Sequence, residues 1–289
     1  MGLPFSRAGE TVVIVGGGTM GAGIAQVMLG VADQVVVVES DSDSAERAFE
    51  RVCEGLRRQY KRVRDPVKEF TSARQRLSVS VGPLDGVAPS LVVEAVPESM
   101  DLKRTVLASI ERTYPDVPLL ATNTSSLSIT ELSRDMSAPD RFIGMHFFNP
   151  VPASELVELV TGTATSATAT DAAKGWVDSL GKTAIIVKDS PGFATSRLGL
   201  ALGLEAIRMV ESGVASPEDI DVGMSLGYKH PLGPLRLTDL VGLDVRLGIA
   251  EHLAATLGPR FEPPALLRRM VAEGKLGKKT GQGFYRWDS

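Results

Sequence analysis

Of the 289 residues only one is a cysteine, Cys53. An intrachain disulfide is therefore impossible, and so is a zinc site built from several thiolates. A single thiol fits a reducing compartment, and the chain is expected to be cytoplasmic. Histidine is scarce as well: His146, His230 and His252 lie far apart without metal-ligand spacing, so no metal site is expected. Basic residues are in deficit, 31 against 35 acidic ones, which gives a net charge of -4 and argues against a nucleic-acid partner. No apolar run is long enough to span a bilayer, so no membrane partner is expected. The stretch Met1 to Glu10 lacks the apolar core of a signal peptide. What remains is ordinary for a folded globular chain, with 43% hydrophobic and 23% charged residues, and the length suits two domains.

Thr11 to Val15 is a short β-branched run of the kind that forms a buried parallel strand. A glycine cluster follows, then a helix opening at Ile24, then a second strand from Gln34 to Val38 that ends in Glu39. Ser44 to about Leu77 reads as helical and rich in Arg and Lys, with Pro66 splitting it into two helices. Further strands are expected at Leu91–Val96, Leu119–Thr122, Phe142–Phe148, Val157–Val160 and Thr183–Val187, with helices at Asp101–Tyr114 and Thr168–Leu180. After Pro191 the strands vanish, and Ser196–Ser212, Pro217–Leu226, Leu235–Leu257 and Pro263–Glu273 read as helices. The pattern predicts an α/β fold: a Rossmann-like, doubly wound, mostly parallel sheet with a helical insert over residues 1–189, followed by an all-α domain over residues 190–289.

Gly16-x-Gly18-x-x-Gly21 matches the dinucleotide fingerprint. Gly16 permits the tight turn, Gly18 lets the backbone approach a pyrophosphate, and Gly21 lets helix and strands pack closely. The run follows a strand, opens a helix and is answered by the acid Glu39 at the end of the next strand, so all three contextual conditions are met. Glu39 should bind the ribose hydroxyls and repel the extra phosphate of NADP, which makes NAD the expected cofactor. Thr19 and Met20, inside the loop, join the expected cofactor set. The plainer readings are a glycine turn without a ligand and a surface acid at a strand end.

His146 sits near the C-terminal end of a strand, the edge where open α/β sheets bind ligands. Glu158, twelve residues on, could return against it through a strand-turn-strand. A carboxylate would fix the tautomer and stabilise the imidazolium, which a general base in hydroxyl oxidation requires. On spacing alone, a structural histidine is an equal alternative.

Beyond the glycine loop, the chain carries Val93-Glu94-Ala95-Val96-Pro97-Glu98, Thr122-Asn123-Thr124-Ser125-Ser126, His146-Phe147-Phe148-Asn149-Pro150, Pro191-Gly192-Phe193, the stretch His230 to Leu240, and Lys279 to Tyr285. With these motifs it resembles the L-3-hydroxyacyl-CoA dehydrogenases over nearly its whole length, most of all the short bacterial 3-hydroxybutyryl-CoA type. The resemblance implies oxidation of an (S)-3-hydroxyacyl-CoA by NAD in fatty-acid metabolism, with His146 as base and Glu158 as its partner. It also implies that Ser125 and Asn149 orient the substrate and polarise its oxygen, and that Glu98 and Lys103 contact the cofactor near the nicotinamide ribose. One departure stands out: Ser196 occupies the position where the family usually has a substrate-binding Asn. A shorter serine could act through a water or suit another acyl group. A helix-start charge pair remains the plainer reading of Glu98 and Lys103, and a local turn hydrogen bond that of Ser125.

Arg57, Arg58, Lys61, Arg62, Arg64 and Lys68 form a basic stretch on the helical insert. It is either a solvated face or, as the resemblance implies, a region that meets the phosphates of coenzyme A. The resemblance also makes the C-terminal domain an acyl-binding and homodimerisation domain. Two alternatives stay open: a dehydrogenase of a free 3-hydroxy acid of the carnitine or sugar-acid type, and a non-catalytic NAD-binding or structural protein.

Overall fold

The computed structural model describes residues 7–82, 84 and 86–287. The chain divides into two compact units, residues 1–189 and 190–289. The first runs β1 (Arg7–Val15), α1 (Thr19–Met28), β2 (Ala32–Glu39), α2 (Ser42–Tyr60), α3 (Pro66–Gln75), β3 (Leu77–Val81), β4 (Leu91–Glu94), α4 (Met100–Thr113), β5 (Leu120–Thr122), α5 (Ile129–Leu132), β6 (Phe142–Phe147), β7 (Leu156–Thr161), α6 (Ala167–Ser179) and β8 (Thr183–Lys188). The strands form one sheet in the order β3-β2-β1-β4-β5-β6-β7-β8. Every neighbouring pair is parallel except β6 with β7.

The centre of the sheet explains its sequence. Val12, Val13 and Ile14 of β1 and Leu91, Val92 and Val93 of β4 are all fully buried, because helices cover both faces of a parallel sheet. Strand order reverses at β1, which is flanked by β2 on one side and β4 on the other. The C-terminal ends of β1 and β4 therefore diverge into a crevice, the usual place for a ligand in such sheets. Helix α2 starts at an Asp41 cap that accepts the Ser44 N–H at 2.8 Å, and Pro66 is the first residue of α3 after its Asp65 cap.

The second unit contains α7 (Thr195–Glu211), α8 (Pro217–Val222), α9 (Pro234–Val241), α10 (Leu243–Leu257) and α11 (Ala265–Ala272). Leu200, Leu204, Leu235, Leu243, Leu253 and Leu267 form its core. Two buried acids fasten it. Asp221 accepts the Leu235 and Arg236 N–H groups and the Tyr285 hydroxyl, each at 2.8 Å. Asp239 accepts Phe284 N, Tyr285 N and Trp287 Nε1 at 2.8–2.9 Å, which pins the C-terminal segment. A Cβ on Gly283 would stand 2.2 Å from Asp239 Oδ1, so the segment needs glycine there to lie on that carboxylate.

The sheet, the helical insert and the helical second unit agree with the sequence expectation, and four local readings are corrected. The helix expected to open at Ile24 starts at Thr19, directly after Gly18, within the glycine cluster. The helical stretch expected up to Leu77 ends at Gln75, and a strand, β3, begins at Leu77. The single helix expected from Leu235 to Leu257 is two helices, broken where Gly242 takes a φ of +104°. The helix expected from Pro217 to Leu226 ends at Val222 and passes into a π-helical turn, Gly223–Gly227.

Candidate active site

Gly16 turns the chain out of β1 with φ +97°, and its N–H donates to Val38 O at 2.9 Å. A Cβ on Gly16 would meet Ala95 O at 2.8 Å, and one on Gly21 would meet Gly16 O at 1.8 Å, so both glycines are demanded by the protein itself. Gly18 differs: a Cβ there would meet nothing within 4 Å, and its φ of -61° suits any residue. The space beside Gly18 at the start of α1, which has no acid in its first turn, fits an incoming phosphate group. Glu39 Oε1 accepts the Gly17 N–H at 2.6 Å, so the acid that ends β2 is held against the glycine loop.

One cavity of about 1110 Å³ runs along this edge of the sheet, within the first unit. Gly16, Gly18, Thr19, Met20 and Glu39 line one part of it. Glu98, Ser125, His146 and Asn149 also line it, so most of the expected site residues share one cavity. Arg47 and Arg51 line it near Glu39 and were not singled out from the sequence.

Residues opposite one another on adjacent antiparallel strands project to the same face. His146 and Glu158 are such a pair in the β6–β7 register. Their side chains meet, with Nδ1 3.0 Å from Glu158 Oε2, and Glu158 is fully buried. An ionised carboxylate only accepts hydrogen bonds, so an ionised Glu158 would take this contact from a proton on Nδ1. The His146 ring also packs on Phe148, with centroids 4.5 Å apart. Asn123 Oδ1 accepts the Phe147 N–H at 2.9 Å and so ties the end of β5 to the end of β6.

Glu98 gathers the loop after β5. Its Oε1 accepts the Thr124 hydroxyl at 2.7 Å, the Ser125 and Ser126 N–H groups at 2.9 and 3.0 Å, and the Ser126 and Ser125 hydroxyls at 3.0 and 3.2 Å. Burial alone would raise the Glu98 carboxyl. The Thr124 bond, the Lys103 charge and the Ser125 and Ser126 donors outweigh it and hold the group below the ordinary carboxylate range.

Lys103, expected as a cofactor contact, is fully buried and does not line the cavity. Its ammonium donates to Glu94 Oε1 and Oε2 at 2.7 and 3.0 Å and to Val96 O at 3.1 Å, and lies 3.6 Å from Glu98 Oε2. Glu94, also fully buried, was not singled out from the sequence. It accepts Val96 N at 2.6 Å and the Thr122 hydroxyl at 2.5 Å. Ser196 belongs to the second unit, in the first turn of α7, and is partly buried.

The family model for the 3-hydroxyacyl-CoA dehydrogenase NAD binding domain matches residues 11–190, and that for the C-terminal domain of the same enzymes matches residues 192–287. The chain belongs to the 3-hydroxyacyl-CoA dehydrogenase family. Its first unit is that family's NAD-binding domain, and the family is one of NAD-dependent oxidoreductases. A probable 3-hydroxybutyryl-CoA dehydrogenase of Bacillus subtilis (strain 168) is 40% identical over 280 residues, covering 96% of this chain and 98% of the relative. The mitochondrial hydroxyacyl-coenzyme A dehydrogenase of Sus scrofa is 38% identical over 284 residues, covering 96% and 90%. The crystal structure of (S)-3-hydroxybutyryl-CoA dehydrogenase from Ralstonia eutropha superposes with a TM-score of 0.90 at 42% identity, over 97% of this chain and 99% of that one. Among the described residues no helix is long and apolar enough to cross a membrane.

Proposed function

We propose that this family member oxidises the 3-hydroxyl of a short-chain (S)-3-hydroxyacyl-CoA, such as 3-hydroxybutyryl-CoA, to the 3-oxoacyl-CoA. The observation that carries the reading is His146, which lines the cavity that also holds the glycine loop and has the buried Glu158 carboxylate 3.0 Å behind its Nδ1. Bound along that loop, NAD⁺ supplies the acceptor for the hydride from C3. Gly16, Gly18, Thr19, Met20 and Gly21 hold the pyrophosphate, and Glu39 takes the adenosine ribose hydroxyls. Glu98 and the Ser125 loop border the nicotinamide ribose.

His146 Nε2 removes the hydroxyl proton as the C3–H bond breaks. The ring then carries a positive charge, which Glu158 stabilises from the Nδ1 side. Ser125 and Asn149 hold the reacting oxygen and the thioester in register with the imidazole. In the reverse direction the same proton returns from Nε2 to the alkoxide. Lys103 acts on this site through Glu98 rather than by touching the ligand.

The exposed basic side chains of the insert, Lys61, Arg62, Arg64 and Lys68, suit the phosphates of coenzyme A. The second unit exposes Leu198, Val222, Leu226, Tyr228, Leu240 and Val245, and this apolar surface supports a homodimer through that unit. Ser196 opens α7 of the acyl-binding unit and contributes to its acyl specificity.

The test is NADH formation by the purified protein with NAD⁺ and (S)-3-hydroxybutyryl-CoA, run beside free 3-hydroxybutyrate. Turnover with the CoA ester alone is expected. Equal or faster turnover with the free acid would replace this substrate assignment with a free hydroxy acid.

A further inference from the structure

The guanidinium of Arg246 is buried in the second unit, with no hydrogen-bond partner for Nε and no acid beside it among the described residues. Burial pulls it down to about 10, which leaves it charged at neutral pH. The acids of the surrounding helices are committed elsewhere. On its own helix, α10, Asp244 binds Lys279 through both oxygens at 2.6 Å, and Glu251 binds Arg268. On α7, Glu205 faces Arg208 at 3.4 Å and Glu211 accepts the Leu266 N–H at 2.6 Å. The buried acids Asp221 and Asp239 are taken up by backbone amides, Tyr285 and Trp287. A buried cation without a counter-charge costs stability, so the folding of this unit does not account for Arg246.

The guanidinium lies against α7 at Gly199. A Cβ on that glycine would stand 3.7 Å from Arg246 Nη1, so a longer side chain there would enter the space that the guanidinium fills. In a helix the Cα–Cβ bond leans toward the N-terminus, so this spot overlies the preceding turn, where Ser196 sits three residues before Gly199 on the same face. A serine hydroxyl and an unpaired guanidinium therefore border one stretch of α7. In the proposed complex the phosphates of NAD⁺ and of coenzyme A meet the first unit, which leaves the acyl chain for the second. A methyl-ended chain brings no anion to Arg246, whereas a carboxylate matches its planar fork of donors. We infer that Arg246 binds a carboxylate at the far end of the acyl chain, which makes CoA esters of (S)-3-hydroxy dicarboxylic acids the preferred substrates. The inference rests on the proposed reading of the second unit as acyl-binding and deepens it. Arg246 selects the end group, and the short side chain of Ser196 leaves the acyl chain room along α7. The reaction at C3 is unchanged.

The test uses the full-length protein, NAD⁺ and pairs of esters that differ only at the chain end. One pair is (S)-3-hydroxyadipyl-CoA and (S)-3-hydroxyhexanoyl-CoA. The other, one carbon shorter, is 3-hydroxyglutaryl-CoA and 3-hydroxypentanoyl-CoA with the same handedness at C3. At one length or both, kcat/KM for the carboxylate-ended ester should exceed that for its methyl-ended partner by about tenfold or more. Arg246→Met should cut this ratio by about ten- to hundredfold, the order expected for a hydrogen-bonded charge pair. The loss should fall mainly on KM, because the end group is bound alike in ground and transition states. Arg246→Lys keeps the charge without the fork and should retain more of the ratio than Arg246→Met. A wild-type preference for the methyl-ended ester at both lengths, or a ratio that Arg246→Met does not move, overturns the inference. If Arg246→Met instead weakens self-association in sedimentation velocity while the ratio holds, the counter-charge comes from a second copy of the chain and the inference is equally overturned. Turnover of (S)-3-hydroxybutyryl-CoA with none of the carboxylate-ended esters would leave the proposed reaction standing and remove this inference alone. If no ester is turned over, the substrate reading fails and this inference with it.

Discussion

His146 and Glu158 face each other across the single antiparallel pairing of the sheet, with Nδ1 and Oε2 3.0 Å apart and the carboxylate fully buried. In the proposed mechanism the carboxylate would hold the proton on Nδ1 and leave proton exchange with substrate to Nε2. Glu158→Gln keeps the shape and removes the charge that balances the imidazolium. Turnover should fall, by up to about 10⁴-fold for a carboxylate in this role. NAD⁺ affinity, measured by calorimetry, should stay within about twofold of wild type, because Glu158 does not line the cavity. An unchanged kcat would remove Glu158 from the mechanism.

Two glycines of one loop should respond differently to the same substitution. Gly21→Ala drives a methyl to 1.8 Å from Gly16 O, so it should lower stability by about 1–3 kcal/mol or more, seen as a lower Tm. Gly18→Ala meets no protein atom within 4 Å and should leave the Tm unchanged. It should nevertheless weaken NAD⁺ binding, because the methyl occupies the space through which the pyrophosphate approaches the backbone. Undiminished NAD⁺ affinity in Gly18→Ala would place the phosphates elsewhere.

Glu39 governs the choice between NAD and NADP in this account. Glu39→Gln retains an acceptor for Gly17 N while removing the negative charge held against the glycine loop. Arg47 and Arg51 also line the cavity and would then offer positive charge to a 2′-phosphate. The kcat/KM ratio for NADP⁺ over NAD⁺ should rise about tenfold, a shift of roughly 1.4 kcal/mol. A constant ratio would separate Glu39 from cofactor choice.

Much of this architecture is legible in the chain because strand and turn signals are local. Val12 to Val15 and Val35 to Val38 announce buried parallel strands, and the fingerprint between them announces a helix, which starts at Thr19 inside the glycine cluster rather than at Ile24. β3 escapes such reading because Ser78 and Ser80 give it too little apolar character and it follows a helix after a single residue. The break at Gly242 is hidden because one glycine in an apolar helical stretch is tolerated as often as it ends the helix. Lys103 misleads for a physical reason: a lysine in the first turn of a charged helix is normally solvated, and only the fold reveals that two acids surround it. Glu94 escapes for the same reason, since it lies inside the strand expected from Leu91 to Val96 and no local signal tells that a buried lysine meets it. Asp221 and Asp239 act on backbone groups 14 to 46 residues away, which no local pattern encodes.

Arg246 carries a different prediction. It is 6% exposed on α10, its Nε has no hydrogen-bond partner, and no acid pairs with it among the described residues. Burial pulls its guanidinium down to about 10 from the ordinary value. Arg246→Met fills similar volume without the charge and should stabilise the protein by about 1 kcal/mol or more, read as a higher Tm. A lower Tm would mean that the guanidinium has a stabilising role in the folded protein.

The central claim is that His146 is the base of a hydroxyacyl-CoA oxidation, and His146→Gln tests it most directly. Single-turnover NADH formation with (S)-3-hydroxybutyryl-CoA should be measured beside the NAD⁺ dissociation constant. The rate should fall by about 10²- to 10⁴-fold, with NAD⁺ binding retained. A rate within about twofold of wild type, at unchanged NAD⁺ affinity, would contradict it.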